Sequence, residues 1–252
     1  MSNRFIGKTG IITGAGSGIG KATIERFVAE GGTAIAVDIS QARLDNLRSE
    51  FMARGQTVSV VAGDLVNQNT IEEIMKVAGQ RIDILINNAG IMDDFVPLDE
   101  LDDELWNRVI SVNLTSVMKL SRAVIKTMLI QGKGSIVTTS SGASFKSGIA
   151  GTAYTTSKHG VNGLIKSIAT IYGSRGIRSN GVAPGGTKTN IMDMSKPIRG
   201  QKTMELLGAN MANATRTAEA SEVAAALLFL ASEDASNING AILACDSGWC
   251  AK

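Results

Sequence analysis

The chain has 252 residues, of which 44% are apolar and 19% charged, so it can bury a sizeable core and fits one large α/β domain. Its net charge is only +2 with no basic run, which disfavours a nucleic-acid partner, and no apolar run approaches the roughly 20 residues that cross a membrane. Two cysteines near the C-terminus and a single histidine fit neither a disulfide framework nor a zinc site.

The first residues, "MSNRFIGKTGIIT", lead directly into a strand-like segment. They contain neither the apolar core of a secretory leader nor a small-residue cleavage site. Together with the sparse cysteines, this favours a reducing, cytoplasmic location.

β-rich runs and segments with helical apolar spacing alternate along the chain. The predicted strands are 9–13, 33–38, 57–64, 82–87, 134–140, 177–184 and 241–246. The predicted helices are 18–30, 41–54, 67–79, 103–130, 154–173 and 219–232. Because single helices separate most of the strands, we expect one doubly wound domain over 1–252, with seven parallel strands and helices on both faces. The irregular stretch 185–218 is predicted to be a substrate lid.

A glycine-rich turn, "TGAGSGIG" at 13–20, follows the first predicted strand. Gly14, Gly18 and Gly20 permit a tight turn and a close backbone approach to a pyrophosphate, which the N-terminus of the next helix favours. An acid, Asp38, closes the second strand about 20 residues further on. Turn, helix and acid in this order predict a dinucleotide site.

Asp38 also bears on which dinucleotide is bound. A carboxylate there accepts hydrogen bonds from the ribose hydroxyls and repels a 2′-phosphate. Neither Ser17 in the turn nor Ile39 and Ser40 after the acid offers a positive charge. NAD(H) is therefore predicted in preference to NADP(H). The alternative is that Asp38 caps the next helix, although Ser40 can do this instead.

The stretch "YTTSK" at 154–158 places a phenol and an amine one helical turn apart, on one helix face. A phenol with a pKa near 10 is a poor base at neutral pH, and a nearby ammonium favours the phenolate. Lys158 would thus bring Tyr154 toward the range of general acid–base catalysis. Ser141, which ends the preceding strand, could hold a substrate oxygen near Tyr154. Ser141 could instead be a turn residue, and Asn113 a mid-helix residue bonding its own backbone.

These motifs resemble the short-chain dehydrogenase/reductase family nearly from end to end. The resemblance rests on "TGAGSGIG", "GDL" at 63–65, "NNAG" at 87–90, "SVNL", "TTSS", "YTTSK" and "PGGTKT" at 184–189. It implies a Rossmann-type NAD(P)-binding fold and an oxidoreductase that interconverts a secondary alcohol and a ketone by hydride transfer. In the tail "CDSGW", Ser247 stands where the family usually has a second glycine, which leaves the subfamily open.

The resemblance also implies roles for individual residues. The implied catalytic residues are Asn113, Ser141, Tyr154 and Lys158. Asn113 would retain a water that relays protons from the lysine. The implied cofactor contacts are Gly14, Ser17, Gly18, Ile19, Gly20, Asp38, Asp64, Leu65, Asn88, Gly90, Tyr154, Lys158, Pro184, Gly185, Thr187 and Thr189. Transfer of the pro-S hydride is the corresponding expectation.

Two long predicted helices, 103–130 and 154–173, carry apolar residues beyond one face. These residues include Leu114, Val117, Leu120, Val161, Leu164 and Ile168. Surplus apolar surface suggests an interface between copies of the chain, and the resemblance implies a homotetramer, with a homodimer as the alternative. The other explanation is that the chain's own sheet covers these side chains.

The substrate pocket is expected between 91–96, 142–151 and the lid at 190–211. Its apolar candidates are Phe95, Phe145, Ile149, Met192, Met194, Leu206 and Leu207. No arginine pair is in place to clamp a dicarboxylate or a phosphate. A small or medium, largely uncharged substrate is therefore predicted, with cyclic alcohols, steroid-like rings, sugars and 3-oxoacyl thioesters all open.

Two other functions are compatible with such a fold. A catalytically silent cofactor-binding module would act in regulation, but the four intact candidate catalytic residues argue against it. A nucleotide-sugar epimerase or dehydratase would need an added C-terminal substrate domain, for which the sequence after the seventh predicted strand leaves no room.

Overall fold

Seven strands form one fully parallel sheet in the computed structural model, which describes residues 3–191, 198–211 and 214–251, except for the side chains of 209–211. The strands are β1 (Thr9–Thr13), β2 (Thr33–Asp38), β3 (Ser59–Ala62), β4 (Ile84–Asn87), β5 (Gly134–Thr139), β6 (Ile177–Pro184) and β7 (Ile242–Cys245). Their order across the sheet is β3-β2-β1-β4-β5-β6-β7. The chain reverses direction across the sheet between β1 and β4, and open sheets of this kind bind ligands at such a reversal.

Eight α-helices cover the sheet in the described part of the chain. They are α1 (Gly18–Ala29), α2 (Gln41–Met52), α3 (Gln68–Ala78), α4 (Asp103–Ile110), α5 (Ser116–Gln131), α6 (Thr152–Tyr172), α7 (Gln201–Met211) and α8 (Ala220–Ala231). A π-helical turn, Ser111–Thr115, joins α4 to α5.

Apolar side chains are buried on both faces of the sheet because successive strand residues point to opposite sides. Ile12 of β1 belongs to a core with Phe27 of α1 and Leu227 of α8. The neighbouring Ile11 belongs to a second core on the other face, with Leu120 of α5. Two cores on opposite faces confirm the predicted doubly wound architecture.

The predicted helix 103–130 is wrong in one respect, since the π-helical turn interrupts it at Asn113. The Asn113 side chain does not bond its own helix backbone. Its Oδ1 accepts a hydrogen bond from Ile91 N at 2.9 Å, and its Nδ2 donates to Ile91 O at 2.9 Å and to Ser157 Oγ at 3.2 Å. The wider turn is what lets this side chain reach the loop after β4, and such single π turns often occur at functional sites.

The predicted irregular stretch 185–218 is also corrected, because it contains helix α7. The segment is rich in residues that favour a helix. Gly200, which directly precedes the helix, donates its N–H to Asp94 O at 2.9 Å. Residues 192–197, which include the pocket candidates Met192 and Met194, lie outside the described residues.

Four of the six apolar residues predicted to form an interface are instead buried inside the chain. They are Val117, Leu120, Val161 and Ile168, each 8% exposed or less. The other two, Leu114 and Leu164, are partly buried. The sheet and the neighbouring helices cover these side chains, so the surplus surface inferred from the pattern is mostly internal.

Membrane-spanning helices and clusters of metal ligands are both missing from the described residues. None of their helices combines the length and the hydropathy of a membrane span. They contain no cluster of three or more His, Cys, Asp or Glu residues that could hold a metal ion.

Candidate active site

A groove of about 490 Å³ runs along the carboxyl ends of the strands, at the reversal between β1 and β4. Almost all predicted site residues line it, from the glycine turn at one end to Tyr154 at the other. The exceptions are Gly20 and Asn113, which lie behind its wall. Because parallel strands end at one edge of a sheet, motifs far apart in the sequence meet in this groove.

The glycine turn leaves the backbone exposed at one end of the groove. Gly14 and Gly18 have φ of 65° and 50°, in the left-handed region that favours glycine. A Cβ on Gly20 would lie 2.0 Å from Gly14 O, so only glycine lets α1 start this close to β1. The N-terminus of α1 and a turn without side chains fit a pyrophosphate.

Asp38 lies beside this turn, buried, with both carboxylate oxygens bound to backbone. Oδ2 accepts from Gly16 N and Oδ1 from Ser40 N, each at 2.9 Å. Ser40 is the residue that caps α2, through a hydrogen bond from Arg43 N. The alternative role of Asp38 as that cap is therefore wrong.

Two arginines line the same end of the groove, and neither was anticipated from the sequence. Arg43 lies in the first turn of α2, further along the chain than Ile39 and Ser40, the residues after Asp38 in which a positive charge was sought. Arg108 of α4 donates to Asp64 Oδ2 at 2.8 Å. Burial raises the pKa of Asp64, but the Val66 N–H and Arg108 outweigh it and hold this pKa below its usual value. No sequence signal links Arg108 to Asp64, since the contact is tertiary.

A hydrogen-bonded chain joins the glycine turn to the candidate catalytic lysine. Asn88 Nδ2 donates to Thr13 O at 3.1 Å, and Thr139 Oγ1 donates to Asn88 Oδ1 at 3.1 Å. Lys158 Nζ then donates to Thr139 O at 2.9 Å. The ends of β1, β4 and β5 are thus fixed relative to α6.

Tyr154 and Lys158 point the same way, with Lys158 Nζ 5.5 Å from the Tyr154 ring centroid. Burial lowers the pKa of Lys158 to about 8. Burial raises the pKa of Tyr154 to about 12, a hydrogen bond with Ser141 opposes this rise, and the charge of Asp93 adds to it. The sequence predicted that Lys158 lowers the pKa of the Tyr154 phenol. The protein groups alone raise this pKa instead, because desolvation dominates.

Ser141 has the turn role that the sequence left open, and its position beside Tyr154 leaves the substrate role as a prediction. It caps the short turn Gly142–Ser144 by accepting from Ala143 N at 3.1 Å, and it also bonds Tyr154. Behind it, Ser140 Oγ donates to Asn162 Oδ1 of α6 at 2.7 Å, which ties this turn to the helix of Tyr154.

The end of the groove beside Tyr154 is mainly apolar. Its described apolar side chains are Ile91, Met92, Phe95, Ile149, Ile191 and Trp249. Phe95 and Ile149 were predicted, whereas the predicted Phe145 and Leu206 are 45% and 80% exposed and do not line it. Trp249 was missed, although it packs in one cluster with Tyr154 and Ile149. Its only sequence signal was an aromatic residue in the C-terminal tail.

The predicted lid at 185–218 is held by hydrogen bonds at its ends and near its middle. Lys188 N donates to Ala218 O at 2.9 Å, next to the groove. Arg199 Nη2 donates to Oδ2 of Asp102, the residue that caps α4, also at 2.9 Å.

Comparison with known proteins gave matches along the whole chain. Residues 8–199 match a family model described as short chain dehydrogenase. The 3beta-hydroxysteroid dehydrogenase 2 of Eggerthella lenta is 40% identical over 250 residues, which cover 97% of this chain and 95% of that protein. The structure of levodione reductase is similar with a TM-score of 0.88 at 34% identity, covering 98% and 99% of the two chains.

A structure from Beutenbergia cavernae, assigned as an NAD(P)-dependent gluconate 5-dehydrogenase, has NADP bound at low occupancy. Its TM-score is 0.87 at 31% identity, and the match covers 100% of both chains. The three similar proteins each match over at least 95% of both chains, so the likeness extends over the glycine turn, the central groove and the C-terminal strand.

Proposed function

The chain belongs to the short-chain dehydrogenase/reductase family, and from that membership we propose an NAD(H)-dependent oxidoreductase in which Tyr154 is the general acid/base. Its reaction interconverts a secondary alcohol and a ketone. The observation that carries this proposal is the meeting of Ser141, Tyr154 and Lys158 at one end of a groove that begins at the glycine turn.

The residues along the groove fit a nicotinamide dinucleotide. The glycine turn and α1 would hold its pyrophosphate, Asp38 a ribose, and Asp64 with Leu65 the adenine. Thr187 and Thr189 would hold the carboxamide. When bound, the nicotinamide dinucleotide supplies or accepts the hydride and, in its oxidised form, carries a positive nicotinamide ring. Asp38 supports NAD(H), but the NADP in the Beutenbergia structure and the presence of Arg43 mean that NADP(H) is the competing cofactor to test.

The chain's own groups would hold and move the proton. Ser141 would bond the substrate oxygen and keep it near the Tyr154 hydroxyl. With a pKa of about 12, Tyr154 is protonated at neutral pH and so is ready to donate in ketone reduction. Lys158, with a pKa of about 8, is charged at neutral pH, and its ammonium would stabilise the phenolate that remains. Asn113 would hold a water that connects Lys158 to solvent.

The groove wall supports a largely uncharged substrate. Apart from Lys158, none of the described side chains that line the groove beside Tyr154 is charged, and Trp249 and Phe95 provide flat apolar surfaces. We infer a small or medium ring alcohol or ketone as the first class to test. The hydroxysteroid named for the Eggerthella lenta relative is consistent with such a ring.

Tyr154→Phe should abolish turnover and leave cofactor binding intact. Removal of one hydroxyl takes away the proton donor, and the expected loss in kcat is about 10²- to 10⁴-fold. A screen of cyclic, aliphatic, steroidal and sugar alcohols, followed by cofactor absorbance, identifies the substrate for this measurement. Cofactor Kd is then compared in the same variant by titration.

Tyr172→Phe is the matched control, because Tyr172 is the only other tyrosine and packs partly buried against the second core. It should retain kcat near the wild-type value. A Tyr154→Phe variant with near-normal kcat would refute the proposed role.

A further inference from the structure

Asp93 is a fully buried carboxylate in the loop after β4 to which the proposed chemistry assigns no role. Its exposed fraction is 0%. Oδ2 accepts a hydrogen bond from Tyr154 N at 2.8 Å, and Oδ1 accepts from Gly151 N at 3.1 Å and from Phe95 N at 3.2 Å. The carboxylate therefore reaches across from another loop and binds the first turn of α6, which has no side-chain cap of its own.

The surrounding backbone is shaped to admit this carboxylate. A Cβ on Gly151 would lie 2.5 Å from Asp93 Oδ2, so any larger residue there would displace it. Asp94 and Phe95, directly after Asp93, have φ of 51° and 57°, a left-handed conformation that is unfavourable for residues other than glycine. Residues held in such a conformation are typical of functional sites, where neighbouring contacts maintain them.

The negative charge of Asp93 also acts on the phenol of Tyr154. Within the described residues Asp93 has no ion-pair partner, and backbone N–H groups at the positive end of α6 satisfy it instead. An anion placed there offsets the helix field that would otherwise favour the phenolate. The negative charge of Asp93 accordingly contributes to the raised pKa of Tyr154, after the larger effect of burial.

Few other charged or titratable groups lie near Tyr154. Lys158 faces it from α6 itself, and Ser141 bonds it from the end of β5. The C-terminal turn behind Trp249 holds Asp246 and Cys250, which bond each other rather than Tyr154. Asp93 and Lys158 are thus the two opposing charges that bear most directly on this phenol.

We propose that Asp93 is a positioning residue for proton transfer, which anchors the first turn of α6 and favours the protonated form of the Tyr154 hydroxyl. This inference rests on the proposed role of Tyr154 as general acid/base. A protonated phenol is the acid that ketone reduction requires, whereas alcohol oxidation requires the phenolate. Asp93 therefore adds to burial in raising the pH at which the phenolate forms and oxidation becomes effective.

The test measures Tyr154 ionisation directly, without turnover. Tyr172→Phe leaves Tyr154 as the only tyrosine of the chain, so phenolate absorbance in a pH titration reports this one group. Asp93→Asn and Asp93→Ser both remove the charge and keep an oxygen that can accept from the helix N-terminus. In either variant the pKa of Tyr154 should fall by about one unit. The alkaline rise in kcat/KM for alcohol oxidation should move down in pH by the same amount.

Asp102→Asn is the matched control for loss of a helix-capping charge. Asp102 caps α4 by accepting from Leu105 N at 2.7 Å and does not contact Tyr154. This variant should be less stable but should show no change in phenolate onset. Tryptophan fluorescence in the same samples identifies the pH range in which each variant is folded.

The outcomes separate this inference from the proposed function. If folded Asp93 variants ionise Tyr154 at the wild-type pH, Asp93 is only a structural cap and the inference is overturned, while the role of Tyr154 stands. If Tyr154→Phe retains turnover, the proposed function fails whatever the absorbance shows. Should both Asp93 variants fail to fold, Gly151→Ala displaces the carboxylate while retaining the residue, and the same downward shift is expected.

Discussion

At the scale of single residues, burial controls the two groups that would move the proton. Tyr154 and Lys158 are 7% and 4% exposed, and burial shifts both toward their neutral forms. The pKa of Tyr154 rises to about 12 and that of Lys158 falls to about 8, so at neutral pH the phenol is neutral and the amine charged. In the proposed reaction the pair would therefore be prepared for proton donation, and oxidation would depend on added positive charge from an oxidised cofactor.

Asp38→Ala should shift cofactor preference toward NADP(H). The substitution removes the carboxylate that would repel a 2′-phosphate, and Arg43 already lines that end of the groove as a cation to receive it. We expect the ratio of kcat/KM for NADP to kcat/KM for NAD to rise at least about tenfold, or roughly 1.4 kcal/mol.

The double variant Asp38→Ala/Arg43→Ala provides the control, since it should lose most of that gain. If the ratio of the two kcat/KM values is unchanged in the single variant, Asp38 does not determine cofactor preference. Steady-state kinetics with both cofactors on one substrate make the comparison.

At the scale of elements, close packing at helix starts fixes the groove. Helix α1 begins against β1 because Gly20 has no side chain, and α6 begins against the loop after β4 because Gly151 has none. The π-helical turn between α4 and α5 positions Asn113, whose side chain bonds both the loop after β4 and α6. Each contact joins elements that are distant in the chain, so the groove depends on the relative placement of helices.

Gly20→Ala should weaken both folding and cofactor binding. Its Cβ would meet Gly14 O at 2.0 Å and Asn88 Nδ2 at 2.8 Å, so α1 would have to move away from the glycine turn. Overpacking of this kind costs about 1–3 kcal/mol in the free energy of unfolding. Denaturant titration measures that loss, and cofactor Kd should rise at least about tenfold.

Gly163→Ala in α6 is a comparison with the opposite expectation. A Cβ there would meet nothing within 4 Å, and alanine favours helix over glycine by about 1 kcal/mol. This variant should be unchanged or slightly more stable with cofactor Kd unaltered. Equal stability of the Gly20 and Gly163 variants would contradict the packing argument.

At the scale of the whole molecule, the homotetramer stays a prediction with altered support. Most of the side chains first taken as its interface are internal. Exposed apolar side chains do occur elsewhere in the described residues, with Ile130 and Ile171 near the ends of α5 and α6 and Leu243 on edge strand β7. Exposed apolar surface and an unpaired edge strand both favour contact between copies.

Sedimentation velocity at micromolar protein should find four chains of 26.3 kDa each in one species. Leu243→Lys, which places a charge on the exposed edge, should shift the distribution toward smaller species without unfolding the chain. A wild-type protein that sediments as a single chain would rule the tetramer out, and a species of two chains would leave the homodimer.

The sequence by itself determined the alternation of strands and helices. It also determined which residues lie at the carboxyl ends of the strands, along one edge of the sheet. Apolar runs and helical spacing gave the strands to within a few residues, since buried strands and helix faces have distinct periods. The glycine turn, Asn88, Ser141 and Thr187 each follow a strand, and Asp38 ends one. They had to converge because parallel strands end at one edge.

Only the tertiary structure decided what lies around that edge and how it behaves. Arg108 and Trp249 line the groove, and Asp93 holds the first turn of α6, through contacts between elements far apart in the chain, and no local pattern encodes such contacts. The tertiary structure also decided the direction in which the pKa of Tyr154 shifts. Spacing shows that Lys158 is near, but the cost of burying a charge depends on everything packed around the phenol.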